Sequence, residues 1–162
     1  MERIIVLVGP PGVGKSTLVR LARERSIFAV DLEDIHNEKK LKLEQRLGVN
    51  YKYALTKEMD QVITELVANA PEGVSIFGAG SYGSHFPLER IEKVLLLPDK
   101  QIAKQRFIER DENDPDKQKQ AQEFESIYDG FVHNWKTGAR TYHRVIQQSG
   151  SPEEILNLIL LG

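Results

Sequence analysis

The segment Gly9-Pro10-Pro11-Gly12-Val13-Gly14-Lys15-Ser16 constrains this chain more than any other, because it fits G-x-x-x-x-G-K-[ST] at every position. It follows the apolar run 4–8, and a strand, a glycine-rich turn and a helix in that order form a phosphate-binding loop. Glycines let successive backbone N–H groups surround an anion, and the following helix directs its positive end to the same point. The segment therefore predicts a loop that holds a polyphosphate, with Lys15 on the β- and γ-phosphates and the Ser16 hydroxyl on Mg²⁺.

Strand and helix patterns alternate along the chain, which predicts an α/β fold with a parallel sheet and helices on both faces. We expect strands at about 3–8, 27–31, 74–77, 93–97 and 144–147, and helices at about 15–24, 34–46, 51–69, 99–110, 117–139 and from 152 onward. Ser151-Pro152-Glu153-Glu154 is a capping box with proline at the first helical position, and it predicts the start of the last helix. A chain of 162 residues is of the size of a single domain with a sizeable core.

Composition narrows the function classes. The formal net charge of -2 does not favour a nucleic-acid partner, and the absence of cysteine excludes disulfides, thiol catalysis and cysteine metal sites. The first strand begins within the opening residues, so no signal peptide is expected, and no apolar run approaches the roughly 20 residues that span a bilayer. We therefore expect a cytoplasmic protein without a membrane partner.

Acidic side chains follow the second predicted strand, in Asp31-Leu32-Glu33-Asp34-Ile35-His36. Ligands of open α/β sheets bind beyond the carboxyl ends of the strands, so these residues are expected beside the phosphate loop. One carboxylate could accept a proton from a substrate hydroxyl and another could hold Mg²⁺ through water. The alternative is that Asp34 only caps the following helix and that Glu33 is solvated. His36 either touches substrate or, as is commoner for a lone histidine on a helix, packs at the surface.

A second glycine-rich segment, 78–84, follows the third predicted strand. Its glycines would let the backbone approach a substrate or the transferred phosphoryl group, and the alternative is a flexible surface turn. The third strand does not end in aspartate, which shifts the expected metal role to Asp31 or Glu33.

Arg106 and Arg110 lie four residues apart on a predicted helix and therefore on one face. The polar loop 111–116 follows directly, and we expect a small lid at about 110–117 that brings positive charge to a phosphate. The alternative is a pair of surface arginines bridged to neighbouring acids. The apolar stripe on the next helix is expected to pack in the core rather than to stack on a base. Its members are Phe124, Ile127, Tyr128, Phe131 and Trp135.

Together these residues resemble the small P-loop kinases, the group that includes shikimate, gluconate and adenylate kinases, and the order of elements resembles theirs along nearly the whole chain. The acids at 31–36 resemble D-x-D-x-L-H of gluconate kinases and D-x-D of shikimate kinases, where the pair serves magnesium and the substrate hydroxyl. Gly78-Ala79-Gly80 resembles the glycine triplet that shikimate kinases place against substrate.

Two further segments carry the resemblance on the nucleotide side. Arg106-Phe107-Ile108-Glu109-Arg110 is similar to R-x-x-x-R of adenylate-kinase-like enzymes, where the first arginine stacks on adenine and the second reaches phosphate. Ser149-Gly150-Ser151-Pro152 resembles the loop that closes over the adenine. The Phe-Arg dipeptide by which shikimate kinases grip a carboxylate has no clear counterpart, and Tyr51-Lys52 and Lys57 are the nearest basic positions.

The resemblance implies a three-layer P-loop NTPase fold with a five-stranded parallel sheet, one domain over 1–162, substrate-side helices at about 34–69 and a small lid. It implies an ATP-dependent, Mg²⁺-assisted phosphotransferase that acts on a small hydroxylated acceptor. A nucleotide or 5′-hydroxyl nucleic-acid kinase and a non-catalytic or regulatory ATP-binding module remain alternatives.

The expected site residues divide by role. The catalytic candidates are Lys15, Asp31, Glu33, Asp34 and Arg110. The candidates that bind nucleotide are Gly12, Val13, Gly14, Lys15, Ser16, Thr17, Arg106 and Pro152. The metal candidates are Ser16 and Asp31. The candidates that bind the acceptor are Glu33, His36, Lys57, Gly78, Ala79 and Gly80.

Overall fold

A computed structural model of the chain describes residues 1–110 and 117–162. Within these residues, five strands form one sheet in the order β2-β3-β1-β4-β5, and every neighbouring pair is parallel. The strands are β1 (Glu2–Val8), β2 (Phe28–Asp31), β3 (Gly73–Gly78), β4 (Glu92–Leu96) and β5 (Arg144–Ile146). The predicted five-stranded parallel sheet is confirmed, and its carboxyl ends meet at one edge.

Six helices surround the sheet in the described part of the chain. They are α1 (Lys15–Glu24), α2 (Leu32–Leu47), α3 (Tyr51–Ala68), α4 (Lys100–Arg110), α5 (Lys117–Thr137) and α6 (Pro152–Leu161). A short 3₁₀ turn at Gly80–His85 occupies most of the second glycine-rich segment. No helix in residues 1–110 or 117–162 is long and apolar enough to cross a membrane.

The helix after β2 begins two residues earlier than the pattern predicts. Asp31, and not Asp34, is the residue that precedes its first turn, and an oxygen of the Asp31 side chain accepts a hydrogen bond from the Glu33 amide at 3.0 Å. The last strand residue therefore also caps the helix. This early start makes Leu32 and Glu33 part of α2.

Two apolar clusters, one on each face of the sheet, make up the core. Central strand β1 contributes to both, with Ile4, Val6 and Val8 in one cluster and Ile5 and Leu7 in the other. The first cluster packs beneath α2 and α3, and the second beneath α1 and α6. A strand covered on both faces is apolar at every position, which explains the continuous run at the start of the sequence.

Helix α5 reaches both clusters, as expected for a core-packing stripe. Phe124 is fully buried in the second cluster, and Phe131 and Trp135 pack against the first. Tyr128 touches both clusters and donates a hydrogen bond to the Pro98 carbonyl at 2.7 Å. Ile127 departs from the expectation, because it is 43% exposed.

The turn at Gly80–His85 lies directly against the end of β1. A Cβ atom added to Gly83 would overlap the Val8 side chain, which is itself buried at the carboxyl edge of the sheet. We expect Gly83→Ala to lower the free energy of unfolding by about 1–3 kcal/mol, because the overlap forces either the turn or the strand to move. Chemical denaturation monitored by circular dichroism measures this change.

Gly130→Ala is the matched control. Gly130 lies in the interior of α5, and a Cβ atom there would meet nothing within 4 Å. That substitution is expected to be neutral or to stabilise the protein by up to about 1 kcal/mol, since alanine favours a helix over glycine. Equal changes in the two variants would show that the approach of the turn to Val8 is not tight.

Candidate active site

A cavity of about 630 Å³ opens at the carboxyl edge of the sheet. Its walls come from the loop after β1, the start of α2, the segment after β3, and helices α4 and α5. The lining residues are Gly9, Pro11, Gly12, Gly14, Lys15, Ser16, Thr17, Glu33, His36, Asn37, Ala79, Gly80, Ser81, Tyr82, Arg106, Arg110, Ile127 and Phe131. One cavity thus brings together all the segments that the sequence analysis singled out after β1, β2 and β3.

The phosphate loop lies on helix α4 at Gly12. This residue has φ of +80°, and a Cβ atom would stand 2.7 Å from the Ala103 carbonyl oxygen and 3.0 Å from the Phe107 Cβ. Only glycine accepts both the backbone angle and the close approach. The contact brings Arg106 and Arg110 beside the loop, and the Arg110 guanidinium stands 5.5 Å from the centre of the Phe107 ring.

The amino end of α1 faces the cavity without a side-chain cap. Gly14 precedes the first helical residue, and no side chain accepts a hydrogen bond from the first turn. The first amides of a helix have no partner inside the helix, so Lys15, Ser16 and Thr17 present N–H groups and a positive dipole end to the cavity. This arrangement is suited to a phosphate group.

The Lys15 ammonium is folded back onto its own loop. It donates hydrogen bonds to the carbonyl oxygens of Gly9, at 2.5 Å, and Pro10, at 3.0 Å. The pKa of Lys15 is lowered from 10.5 to about 8, chiefly by burial; Glu33 and Asp31 act in the opposite direction, and nearby Arg110 adds to the lowering. A polyphosphate placed at the loop would supply the missing negative charge and would raise this pKa again.

This lowered pKa predicts that nucleotide binding takes up a proton. In the free protein, the amine of Lys15 loses its proton as the pH rises through about 8. A bound polyphosphate favours the charged form, so binding near pH 8.5 is expected to take up a fraction of one proton, and affinity is expected to fall at higher pH. Calorimetric titration with ATP in buffers of different ionisation enthalpy measures the uptake, and Lys15→Met is expected to remove it. Proton-neutral binding across this range would contradict the expectation.

Asp31 joins the phosphate loop to helix α2. One carboxylate oxygen accepts from the Ser16 hydroxyl at 2.5 Å and the other accepts from the Glu33 amide at 3.0 Å. The side chain is only 7% exposed, so it is held rigidly beside the hydroxyl. In the described part of the chain no group of three or more His, Cys, Asp or Glu side chains could hold a metal ion. The hydroxyl–carboxylate pair nevertheless fits Mg²⁺, which takes one or two protein oxygens and completes its shell with phosphate oxygens and water.

Glu33, His36 and Asn37 form one face of the first turns of α2, at the spacing that places side chains side by side on a helix. Opposite them, the ring of Tyr82 lies between two histidines, with its centre 5.5 Å from that of His36 and 5.3 Å from that of His85. Burial raises the pKa of Tyr82, and nearby Asp60 raises it further, so its hydroxyl stays protonated. Asp60 also pairs with the His85 ring at 2.5 Å and ties the turn to α3.

Several predicted residues lie behind the cavity or away from it. Val13 is buried under the phosphate loop. Gly78 is buried at the end of β3, where a Cβ atom would touch the Val19 side chain. Asp34 is exposed and does not line the cavity, because it lies about 100° around the helix axis from Glu33. The predicted lid segment 111–116 lies outside the described residues.

Two further residues that the sequence analysis assigned to the site also lie outside the cavity: Lys57, expected to bind the acceptor, and Pro152, expected to bind nucleotide. Lys57 is exposed on α3 and does not line the cavity. Leu55 and Met59, two positions before and after it on the helix, face the core instead. Pro152 begins α6 after β5, and β5 is an edge strand two positions from β1 in the sheet. The segment before Pro152 does contact the start of α4, since the Ser149 hydroxyl accepts a hydrogen bond from the amide of Asp99, the residue before that helix, at 2.8 Å.

Sequence reasoning also missed residues that line the cavity. Asn37 follows Glu33 by four residues on a helix, a spacing that was available in the sequence. Ser81 and Tyr82 belong to the segment 78–84 that was singled out only for its glycines. Ile127 and Phe131 were assigned to the core stripe, and only the angle of α5 across the cavity brings them to its rim.

A parallel sheet of this strand order, with a glycine-rich phosphate loop between β1 and α1 and a cavity at its carboxyl edge, defines a protein with the P-loop NTPase fold. The comparison with family models agrees with this class. A family described as an AAA domain matches residues 5–128, more than half of the chain, and the chain belongs to this family.

Solved structures share the fold at low sequence identity. Shikimate kinase from Aquifex aeolicus vf5 is 22% identical with a TM-score of 0.59, over 98% of this chain and 94% of that one. The Bacteroides thetaiotaomicron shikimate kinase has a TM-score of 0.68 at 15% identity, over 97% and 95% of the two chains. The Acinetobacter baumannii shikimate kinase, in complex with shikimate, has a TM-score of 0.64 at 20% identity, over 99% and 92%. No curated protein matches the chain in sequence.

Proposed function

We propose that the protein is an ATP-dependent, Mg²⁺-assisted phosphotransferase that moves the γ-phosphate to a hydroxyl group of a small acceptor. The observation that carries this proposal is that Lys15, the uncapped end of α1 and Glu33 line one cavity, with Glu33 near enough to Lys15 to raise its pKa. Phosphoryl transfer depends on positioning and electrostatic stabilisation, and the cavity offers both cationic groups and a carboxylate.

The phosphate loop has the groups to hold the triphosphate. The backbone amides of residues 12–16 and the Lys15 ammonium bind its oxygens, and Arg106 and Arg110 lie on the same side of the cavity. When bound, magnesium neutralises negative charge on the β- and γ-phosphates, and Ser16 and Asp31 are the residues that would hold it. Charge that develops on the transferred group is stabilised by Lys15 and the arginines.

Glu33 is the residue that we assign as the base. Both oxygens of Asp31 are engaged by Ser16 and by the Glu33 amide, and Asp34 does not line the cavity. Glu33 does line it, and it is exposed there. A carboxylate in this place can accept the proton of an acceptor hydroxyl as the hydroxyl oxygen attacks the γ-phosphorus.

A phosphorylation screen tests the proposed function. The protein, ATP and Mg²⁺ are incubated with a panel of hydroxylated metabolites, ADP release is recorded, and the products are identified by mass spectrometry. We expect acceptor-dependent ADP release that chelation of the metal abolishes. ATP binding without release stimulated by any acceptor would instead favour a regulatory nucleotide-binding module.

A further inference from the structure

The positive charge that lines the cavity, among the described residues, comes from the phosphate loop and from helix α4. The lysines and arginines that line it, within the described ranges, are Lys15, Arg106 and Arg110. Lys15 belongs to the phosphate loop, and helix α4, which carries both arginines, contacts that loop at Gly12. Arg110 is also near enough to Lys15 to lower its pKa. All three cations therefore lie where the triphosphate would need them.

Six other residues of the cavity, which we call the acceptor wall, have a different chemistry. It consists of Glu33, His36, Asn37, Ser81, Tyr82 and Phe131. Its one carboxylate is that of Glu33, and its other groups are an amide, a hydroxyl, an imidazole and aromatic rings. The structure does not describe the side chains of residues 111–118 and 120, and in the sequence Lys117 is the one cation among them.

This distribution disfavours an acceptor with its own negative charge. Proteins bind carboxylates and phosphates through arginine or lysine, and the guanidinium fork is the preferred group. On the acceptor wall such an anion would meet Glu33 and no cation among the described residues, and a like charge in a cavity is strongly unfavourable. The three cations on the nucleotide side are already opposed by the several charges of a triphosphate.

The acceptor wall instead suits a neutral ring with hydroxyl groups. The Tyr82 and Phe131 side chains offer apolar faces. The Tyr82 ring lies between His36 and His85, and His85 is in turn paired with Asp60. Asn37 and Ser81 can each donate and accept hydrogen bonds. Aromatic faces with a few neutral polar groups are typical of sites for uncharged polar ring compounds.

We propose that the acceptor is an uncharged ring compound with a free hydroxyl group, such as a sugar or a nucleoside, and not a carboxylic acid or a phosphate ester. This inference rests on the proposed phosphotransferase function. In the reaction, the hydroxyl oxygen forms a bond to the γ-phosphorus, the bond to the β-phosphate bridging oxygen breaks, ADP leaves, and Glu33 takes the hydroxyl proton. The products are a phosphate monoester and ADP.

Matched pairs of acceptors test the inference. ADP release is measured with sugars and their sugar acids, and with nucleosides and their 5′-monophosphates, at saturating ATP and Mg²⁺. We expect the preferred acceptor to be neutral, with kcat/KM at least about tenfold above that of its anionic partner. Whether the sugar or the nucleoside arm responds identifies the source of the ring.

The outcomes separate the two proposals. Preference for the anionic members would overturn the inference about the acceptor and leave the phosphotransferase function in place. No stimulation by any compound, with ATP binding intact, would count against both proposals.

A charge-introducing variant, Asn37→Arg, gives a second readout. A guanidinium on the acceptor wall is expected to shift the kcat/KM ratio toward the anionic member of each pair by about tenfold. Lys42→Arg, an exposed position on the same helix outside the cavity, is the control and should leave the ratio unchanged. An unchanged ratio in Asn37→Arg, in a variant that still binds ATP, would show that the acceptor does not contact this wall.

Discussion

Lys15→Met is expected to lower kcat/KM for phosphoryl transfer by about a thousandfold or more, because it removes the mobile cation that opposes charge on the transferred group. The ammonium now bonds to the Gly9 and Pro10 carbonyls, and burial lowers its pKa to about 8. The free protein therefore holds this charge in an unfavourable place, and its removal should not unfold the chain. Steady-state kinetics with the acceptor found in the screen, together with thermal denaturation, measures both effects.

Lys42→Met is the matched control for this substitution. Lys42 lies on α2 with its side chain 73% exposed and pairs with Glu38 at 3.0 Å, so its loss should change neither turnover nor folding appreciably. Full activity in Lys15→Met, with a native circular dichroism spectrum, would show that the loop does not hold the reacting phosphate.

Glu33→Gln is expected to lower kcat by about a hundredfold to ten-thousandfold while KM for ATP stays close to its original value. The amide keeps the shape of the side chain but cannot accept the proton of the hydroxyl group. Because Glu33 lines the cavity but is not part of the phosphate loop, its loss should affect the chemical step rather than nucleotide binding. Measurement of kcat and of KM for both substrates separates the two effects.

Asp34→Asn distinguishes Glu33 from its neighbour. Asp34 is exposed and does not line the cavity, so this variant should retain activity close to that of the original protein. The opposite result, a large loss in Asp34→Asn and a small one in Glu33→Gln, would transfer the role of base to Asp34.

The parallel sheet and the position of the phosphate loop follow from features that are local in the sequence. The alternation of apolar strands with amphipathic helices predicts a parallel sheet, and the loop at Gly9–Ser16 marks the strand from which the site is built. Both signals depend on the spacing of neighbouring residues. The same applies to Arg106 and Arg110, whose separation by four places them on one face of α4.

Residue spacing alone could not assign separate roles to the three acidic residues that follow β2. Asp31, Glu33 and Asp34 are chemically similar and lie within four positions of one another. Asp31 is withdrawn from the cavity because it caps α2 and accepts from Ser16, while Asp34 is turned away by the start of that helix. The capping interaction extends α2 back to Leu32, so Glu33 and Asp34 lie about 100° apart around the helix axis, and only Glu33 lines the cavity.

The sequence by itself determined the class of this chain, its phosphate loop and the edge of the sheet where a ligand would bind, because each depends on short-range spacing. Only the tertiary structure placed Tyr82 and Phe131 in the lining of the cavity and left Lys57 and Pro152 outside it. These placements depend on how helices and turns distant in sequence pack over the strands. The restriction of positive charge to Lys15, Arg106 and Arg110 among the described lining residues is likewise a property of the assembled cavity and of no single segment.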